Sequence, residues 1–386
     1  MIEQDNIYMA RAFELARKGR FTTSPNPNVG CVIVRDGVIV GEGYHQKAGE
    51  PHAEVHALRM AGDKAQGATA YVTLEPCSHH GRTPPCAEAL INAGVSRVVA
   101  AMQDPNPQVA GRGLYMLSQA GIETRSNVLL DDAEAANRGF LKRMRTGFPY
   151  IQLKLAASLD GKTALGTGES KWITSPAARK DVQALRAEAS AILSTSSTVV
   201  ADDPSLTVRW KELPSNIQQI YPEEQVRQPI RIVLDNHNRV TSEHRVTQLD
   251  GECWLVRSNP DENAVWQGQV EQIAIPADEN GTDLVILMMQ LAKRNVNSIW
   301  VEAGAKLAGS LLKLGLVDEL IVYIAPKLLG NSARGLVDFP PLNALIDAPK
   351  FEFTEVTQVG PDLRVRLRPV WSVVFLKIIR TIHERM

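Results

Sequence analysis

The sequence predicts an α/β fold in two domains, and three observations lead to this expectation. Its 386 residues are enough for two or three domains of roughly 150 residues each. Short apolar strands alternate with amphipathic helices in both halves of the chain. The segment 146–149 (TGFP) interrupts the pattern. We therefore expect one domain at 1–147, a second at 148–368, and an appended tail at 369–386.

The composition is that of an ordinary globular protein and excludes several classes. Apolar residues make up 44% of the chain and charged residues 22%, which disfavours disorder. The net charge of −1 lacks the basic excess of a dedicated nucleic-acid binder. No apolar run is long enough for a membrane span, and the N-terminus lacks a signal-peptide core. Because the chain has only four cysteines, we expect reduced thiols and a cytoplasmic location.

Each element of the first domain is predicted from periodicity and from its flanking residues. Asp36-Gly37 indicates a hairpin turn between two apolar runs. Pro85 or Cys86 starts a helix, and Gly94 and Gly121 end helices. The predicted helices lie at 5–18, 52–60, 86–93, 111–121 and 131–145, and the predicted strands at 31–34, 38–44, 68–74 and 95–101.

The second domain repeats the alternation of strands and helices. Ser175 is predicted as an N-cap with Pro176 at the first helical position. The polar, proline-containing stretch 203–229 is expected to form a long loop. The predicted strands lie at 150–158, 191–197, 229–235, 252–257, 298–304 and 319–326, and the helices at 175–187, 282–294 and 305–315.

A catalytic zinc site is predicted from His52, Cys77 and Cys86. One imidazole and two thiolates form a three-ligand set that leaves the fourth position for water. Glu54, two residues after His52, fits the role of proton shuttle. The arrangement matches the H-x-E and P-C-x-x-C signature of zinc nucleobase deaminases, although eight residues separate the two cysteines here.

Other histidines near this motif are given other roles. His56 follows His52 by one helical turn, but Glu54 stands in the wrong place for an H-E-x-x-H metalloprotease site. We therefore expect His56 to pack beside the site. His79 and His80 lie in the segment between the cysteines, and substrate contact and plain exposure are both open for them.

Several longer segments resemble the RibD family, the bifunctional riboflavin-biosynthesis deaminase–reductases of bacteria. The resemblance spans about residues 5–367, and the spacing of the two cysteines is the family's own. It implies a cytidine-deaminase-like N-terminal domain and a dihydrofolate-reductase-like C-terminal domain. The segments that carry it are FTTSPNPNVGCVIV, GEGYHQKAGEPHAEVHAL, YVTLEPCSHHGRTPPC, MQDPNPQVAGRGL, KLAASLDGKTA, WITSPAAR, ADDPSLTVRW, VEAGAKLAGSLL and IAPKLLG.

The resemblance also implies the reactions. The first domain would deaminate 2,5-diamino-6-ribosylamino-4(3H)-pyrimidinone 5′-phosphate, with one zinc ion on His52, Cys77 and Cys86 and with Glu54 as acid–base group. The second domain would use NADPH to reduce the ribosyl group to a ribityl chain. Asn26 matches the position that hydrogen-bonds the pyrimidine, and its amide offers both a donor and an acceptor.

The reductase residues are assigned from the resemblance. The strand–turn–helix at 301–312 lacks a G-x-G-x-x-G motif, yet its small-residue turn suits a pyrophosphate. Sugar, phosphate and pyrimidine contacts are implied for Ser170, Arg186, Leu206, Arg209 and Glu302. Cofactor contacts are implied for Ala156, Trp172, Thr198, Asp202, Asn236, Gly304, Ala305, Lys306, Leu307, Ala308, Gly309 and Ser310. At Asn236 relatives can carry serine. Two interpretations are open for Lys154 and Asp160: they act on the sugar, or they form a structural ion pair.

The tail at 369–386 departs from the family. Apolar residues recur at helical spacing in it, which leaves open a membrane-surface helix, a dimer contact or an end that arose by frameshift. We expect a docked or disordered appendage without a function of its own. A homodimer is one open assembly for the whole chain.

Two other functions are weighed against the bifunctional enzyme. One is a deaminase of tRNA or single-stranded nucleic acid with 148–386 as its binding module, which the near-neutral charge disfavours. The other is a non-enzymatic zinc scaffold with a nucleotide-binding domain. Glu54 argues against it, because a structural zinc site needs no proton shuttle. The expected partners are small phosphorylated pyrimidines, without nucleic acid or membrane.

Overall fold

The computed structural model describes residues 2–79, 84–107, 109–170, 173–279 and 281–370. The chain divides into two compact units, Met1–Phe148 and Pro149–Met386. None of the described helices is long and apolar enough to cross a membrane. Residues 371–386 of the expected tail, Trp172 and His80 lie outside the described residues.

The N-terminal unit is a five-stranded sheet between helices. Its helices are α1 (Ile2–Ala16), α2 (Ala53–Ala61), α3 (Cys86–Asn92), α4 (Arg112–Gln119), α5 (Leu130–Ala136) and α6 (Arg138–Thr146). Its strands are β1 (Gly30–Arg35), β2 (Val38–Tyr44), β3 (Thr69–Val72), β4 (Arg97–Ala100) and β5 (Glu123–Arg125). The order is β2-β1-β3-β4-β5. β1 is antiparallel to both neighbours, and β3, β4 and β5 run parallel.

The alternation of side chains along β1 builds a core on each face of this sheet. Val32 packs in a cluster with α1 and α6, whereas Ile33 packs in a cluster with α2, α3 and α4. Gly43 in β2 lets α2 approach closely, since a Cβ there would lie 2.3 Å from the carbonyl oxygen of Ala53. This contact seats the start of α2, which carries the predicted histidine and glutamate, on the sheet.

The C-terminal unit contains a second, larger sheet. Its helices are α7 (Pro176–Glu188), α8 (Ser196–Asp202), α9 (Ser215–Gln218), α10 (Arg245–Gln248), α11 (Leu284–Lys293) and α12 (Ala305–Lys313). Its strands are β6 (Tyr150–Ser158), β7 (Lys162–Ala164), β8 (Ala191–Thr195), β9 (Ile230–Leu234), β10 (Cys253–Arg257), β11 (Val270–Ala274), β12 (Ala277–Asp278), β13 (Gly281–Thr282), β14 (Ser298–Glu302), β15 (Glu319–Ala325), β16 (Arg334–Gly335), β17 (Lys350–Val359) and β18 (Asp362–Val370).

Nine of these strands form one sheet in the order β11-β10-β9-β8-β14-β6-β15-β18-β17. The strands from β11 to β15 run parallel, and β18 and β17 are antiparallel to their neighbours. The carboxyl ends of β14, β8 and β9 therefore meet at one edge. Ligands of open α/β sheets bind at such an edge.

The structure confirms most predicted elements and corrects a few. Ser175 caps α7 by accepting a hydrogen bond from the Ala178 backbone, as predicted. The single helix predicted at 131–145 is wrong, because the chain leaves the helical conformation at Asn137. The side chain of Asn137 instead bonds both backbone groups of Asn28. β11 was missed because only Ile273 among its residues is buried, and β17 because most of its residues are exposed.

Candidate functional site

Three sequence-distant side chains meet where two helices begin. His52 directly precedes α2, Cys86 is the first residue of α3, and Cys77 lies in the segment after β3. The helices pack on the same face of the sheet through Ala53, Ala57, Ala87 and Leu90. Packing of these small and apolar residues therefore brings the three predicted ligands together.

The distances suit a single metal ion. The Nδ1 atom of His52 lies 3.6 Å from the Cys77 Sγ atom and 3.3 Å from the Cys86 Sγ atom. All three ligand atoms lie within 4.8 Å of one another. The backbone N–H of Cys86 also donates to the Cys77 sulfur, at 3.2 Å. One imidazole and two sulfurs in this arrangement form a zinc-type donor set with room for a fourth ligand.

The protonation states of these groups favour a cation. The pKa of Cys77 is lowered to about 4, chiefly because the Cys86 thiol donates to its sulfur. The pKa of His52 is raised by its hydrogen bond to Cys77. The pKa of Cys86 is raised far above its usual value, because its proton is held by Cys77 and its sulfur is buried. A bound metal displaces such protons, so metal binding and deprotonation are coupled here.

Glu54 lies beside this cluster in the first turn of α2 and is only 3% exposed. Burial raises the pKa of its carboxyl to about 6. A group with a pKa near neutrality both accepts and donates protons readily. Its side chain also contacts that of Cys86. Glu54 is therefore placed next to the sulfur ligands without belonging to the ligand triad.

Asn26 is tied to the same cluster through His45. The Asn26 amide nitrogen donates to His45 Nε2 at 3.0 Å, and His45 Nδ1 donates to the Pro51 carbonyl at 3.1 Å. These two bonds need a neutral ring protonated at Nδ1. Burial lowers the pKa of His45 and favours that state. The His45 ring meets the His52 ring edge-on at 5.3 Å between centroids. Sequence reasoning missed His45, because an isolated histidine in a strand-end segment carries no spacing rule.

Glu75 anchors the loop between β4 and α4. Its buried carboxylate accepts four backbone N–H groups, from Asp104 at 3.0 Å, Gly111 at 2.9 Å, Gly113 at 2.9 Å and Leu114 at 3.2 Å. Glu75 stands two residues before Cys77. The start of α4 is thereby anchored to the segment that carries a predicted ligand, and no sequence pattern predicts this role of Glu75.

In the C-terminal unit, predicted substrate residues surround a cavity of about 160 Å³. Arg186, Arg209 and Glu302 line it. Its other lining residues come from β6, β15, α7 and the segment before α7, and are Lys154, Thr174, Ala178, Arg179, Val182, Gln183 and Tyr323. The excess of cationic over anionic side chains suits a phosphorylated ligand.

Arg186 and Glu302 form a bidentate ion pair in the wall of this cavity. The two nitrogen–oxygen distances are 2.6 and 2.8 Å, and the Trp300 indole donates to the same carboxylate at 2.7 Å. The pKa of Glu302 is lowered to about 2, against the effect of burial, by Arg186. Burial lowers the pKa of the neighbouring Lys154. Glu302 is thus held ionised and in one orientation.

Arg209 and Asp160 have partners of different kinds. Arg209 pairs with Glu212 at 2.6 and 2.8 Å in a partly exposed position. Asp160 accepts the Ser158 hydroxyl and the backbone N–H groups of Leu329 and Gly330. The structural ion pair weighed for Asp160 and Lys154 is therefore absent from the described residues, because this carboxylate caps a neighbouring turn.

Several predicted cofactor residues lie near the carboxyl ends of the parallel strands, whereas Leu307, Ala308 and Gly309 are buried within α12. Gly304 separates β14 from α12, and a Cβ added to it would meet nothing within 4 Å. The turn is thus open where a pyrophosphate could approach the backbone. Gly309, by contrast, packs against the Asp338 carbonyl. The other cofactor positions are Ala156 in β6, Thr198 and Asp202 in α8, Asn236 after β9, and Ala305, Lys306, Leu307, Ala308 and Ser310 in α12.

Two predicted substrate residues, Ser170 and Leu206, are not brought to the cavity. Ser170 is exposed, and Leu206 is buried in the core with a φ of 49°. Neither lines the cavity. Trp172 lies outside the described residues.

Comparison with known families gives two matches that together span both units. The family model of the RibD C-terminal domain matches residues 149–365. The model of the cytidine and deoxycytidylate deaminase zinc-binding region matches residues 2–102.

Curated relatives and solved structures match nearly the whole chain. The riboflavin biosynthesis protein RibD of Escherichia coli strain K12 is 67% identical over 364 residues, which cover 94% of this chain and 99% of that protein. The Haemophilus influenzae RibD is 57% identical over 366 residues, covering 95% and 98%. An Acinetobacter baumannii RibD structure matches with a TM-score of 0.89 and 45% identity, covering 96% and 100%. A deaminase/reductase structure from Thermotoga maritima matches with a TM-score of 0.83 and 32% identity, covering 95% and 99%.

Proposed function

The chain belongs to the RibD family of bifunctional deaminase–reductases in riboflavin biosynthesis, and from that premise we propose which residues carry each reaction. The first reaction removes an amino group from a phosphorylated pyrimidine by hydrolysis, and the second reduces its ribosyl group to a ribityl chain. The alternative of a nucleic-acid deaminase is not favoured.

His52, Cys77 and Cys86 hold one zinc ion in the deaminase unit. The observation that carries this proposal is the convergence of the three ligand atoms within 4.8 Å beside a buried carboxyl group. A bound zinc ion lowers the pKa of water to about 7. The two helix starts and the Cys86 N–H bond to Cys77 hold the sulfurs in place.

Glu54 moves the protons of the deamination. Its pKa of about 6 allows it to accept the two protons of the attacking water in turn, and to deliver one to a ring nitrogen and the other to the departing amine. Asn26 meets the pyrimidine with its amide. The His45 bridge at 3.0 Å from Asn26 holds that amide in one orientation.

NADPH supplies the hydride of the second reaction. The open turn at Gly304 lets backbone N–H groups at the start of α12 approach its pyrophosphate. Ala156, Trp172, Thr198, Asp202, Asn236 and the residues from Ala305 to Ser310 complete the proposed cofactor site.

Arg209 and Arg186 have different roles in binding the sugar phosphate. Arg209 exchanges its partly exposed partner Glu212 for the 5′-phosphate at little cost, because such surface pairs contribute only about 0–1 kcal/mol. Arg186 fixes Glu302 at the cavity wall, where the carboxylate accepts hydrogen bonds from sugar hydroxyls. Ser170 and Leu206 stay proposed substrate contacts on the family resemblance alone, since neither lines the cavity.

Two copies of the chain are proposed to associate through β17. This strand lies at one end of the nine-stranded sheet, and an edge strand offers unpaired backbone groups. Phe353 and Val356 are 72% and 58% exposed on it. Light scattering should show a dimer that Phe353→Asp converts to a monomer, and a monomeric parent chain would contradict this assembly.

The decisive experiment supplies each reaction separately. Zinc-loaded protein should release ammonia from the diaminopyrimidinone phosphate, and should oxidise NADPH when given the deaminated compound. Metal analysis of the same sample should give about one zinc per chain. A folded, zinc-loaded protein that releases no ammonia would contradict the deaminase assignment, and one that oxidises no NADPH would contradict the reductase assignment.

A further inference from the structure

The carboxyl ends of β8 and β9 form a small polar surface. The two strands are parallel neighbours, with Thr195 paired to Leu234 at their last residues. Ser196 and Ser197 follow β8, and the segment 235–240 follows β9. Thr198 and Asn236, two proposed cofactor residues, belong to the same two segments. The surface therefore borders the proposed cofactor site.

Asp235 follows β9 at the carboxyl ends of the parallel strands, where α/β proteins bind nucleotides, and an acid at such a place can accept the ribose 2′-hydroxyl of NADH. Here that carboxylate is 0% exposed. One oxygen accepts the Arg239 backbone N–H, and the other accepts the Val240 N–H and two N–H groups of the Arg257 guanidinium. Its acceptor capacity is used within the protein, so it is not available to a ribose hydroxyl.

Arg239 projects from the same segment with a different set of partners. Its guanidinium donates to the Ser196 hydroxyl at 2.8 Å and to the Ser197 hydroxyl at 2.9 Å. It forms no ion pair with any residue that the structure describes. The residue is also exposed. A guanidinium held by neutral hydroxyls keeps its full positive charge available for an anion.

The position fits the distance between two phosphate groups of one dinucleotide. In the sheet, β8 separates β9 from β14, and strands lie about 4.8 Å apart. The Arg239 segment is therefore about 10 Å from the Gly304 turn in the direction across the strands. An adenosine ribose that extended along this edge from a pyrophosphate at Gly304 would reach the Arg239 surface.

We propose that Arg239, supported by Ser196 and Ser197, binds the 2′-phosphate of NADPH and selects it over NADH. The inference rests on the proposed cofactor site at Gly304. A planar guanidinium suits bidentate binding of a phosphate, and the internal use of Asp235 removes the acid that would repel this phosphate. Cofactor choice is then set by one exposed cation and by the burial of its neighbouring carboxylate.

The test measures binding by calorimetry, without turnover. The parent protein, Arg239→Ala and Arg239→Lys are titrated with NADPH, NADH and adenosine 2′,5′-bisphosphate. Arg245→Ala is the matched control, since Arg245 is an exposed arginine on the nearby helix α10. Arg239→Ala should weaken NADPH and the bisphosphate by about tenfold or more, the loss expected for a charge-assisted bond. NADH binding should be unchanged, Arg239→Lys should recover part of the loss, and the control should match the parent.

The outcomes separate the two proposals. Unchanged NADPH affinity in Arg239→Ala, or an equal loss for NADPH and NADH, would overturn the role of Arg239 while the cofactor site stands. A folded parent protein that binds NADPH no better than NADH would also overturn it. A parent that binds neither dinucleotide would contradict the cofactor site itself.

Discussion

Cys77 shows how a single side chain acquires its chemistry from its neighbours. The hydrogen bonds from Cys86 and His52 lower its pKa to about 4, so it is the thiolate of the cluster. Replacing Cys77 with Ser removes this ligand, and the protein should lose most of its zinc. Metal analysis checks the result. Cys253→Ser is the control, because Cys253 is a buried cysteine of the other unit, and it should keep about one zinc per chain. Full zinc retention in both Cys77→Ser and Cys86→Ser would contradict the ligand set.

Glu302 illustrates a residue whose charge stabilises the fold. Its pKa of about 2 lies below the usual 4.5, so its stabilising effect is complete above pH 4.5 and is lost as pH falls toward 2. Glu302→Gln leaves Arg186 without its ionic partner and should lower the free energy of unfolding at neutral pH by about 3 kcal/mol.

Urea unfolding of the parent and of Glu302→Gln over a pH series measures this difference. It should shrink as the pH is lowered from 4.5 toward 2, because the parent then loses the same charge. Glu271→Gln is the control for an exposed pair with Arg294 and should change stability by less than about 1 kcal/mol. A difference that does not vary with pH would contradict the assigned pKa.

At the scale of elements, the start of α4 depends on one carboxylate from another segment. Glu75→Gln turns one accepting oxygen into a donor, so two of the four backbone N–H groups lose their acceptor. The deaminase unit should lose about 3 kcal/mol, since each orphaned buried donor costs about 1–3 kcal/mol. Hydrogen exchange at Asp104, Gly111, Gly113 and Leu114 should become faster. Glu123→Gln, an exposed carboxylate of the same unit, should not change it. Unaltered protection of all four amides in Glu75→Gln would contradict the anchoring role.

A substitution in the turn between β14 and α12 should change cofactor binding without changing stability. Because an added Cβ at Gly304 meets only open space, Gly304→Val should leave the unfolding temperature almost unchanged. The same side chain would fill the approach to the backbone, so NADPH should bind about tenfold more weakly or worse. Gly335→Val is a matched control, since Gly335 is also open, and it should bind NADPH like the parent. Unchanged NADPH affinity in folded Gly304→Val would contradict the pyrophosphate turn.

For the whole molecule, the two reactions should be separable, because each set of site residues lies within one unit. Glu54→Gln removes the titrating carboxyl but no zinc ligand, so deamination should fall by about 10²- to 10⁴-fold while zinc content and NADPH-dependent reduction persist. Arg209→Ala should weaken reduction and leave ammonia release intact. Each variant is assayed with each unit's own substrate. Loss of both reactions in folded, zinc-loaded Glu54→Gln would indicate a shared active site.

Much of this molecule follows from local sequence rules. Apolar periodicity identifies most helices and strands. The hairpin at Asp36-Gly37, the helix cap at Ser175 and the strand at 150–158 each depend on residues that are close in the chain. The grouping of His52, Cys77 and Cys86 with Glu54 could also be predicted from the sequence. Zinc-dependent hydrolytic deamination requires particular residue types, and these occur together near helix starts.

Tertiary structure alone decided the partners of polar side chains. Asn137 breaks a predicted helix because Asn28, 109 positions away in the chain, offers it two backbone bonds. Asp235 follows β9 at the carboxyl ends of the strands, and its carboxylate is buried and bonded to Arg257, a partner 22 positions away in the chain. The physical reason is the same in both cases. Periodicity records which side chains avoid water, whereas a hydrogen bond or ion pair depends on distances that only the packed chain defines.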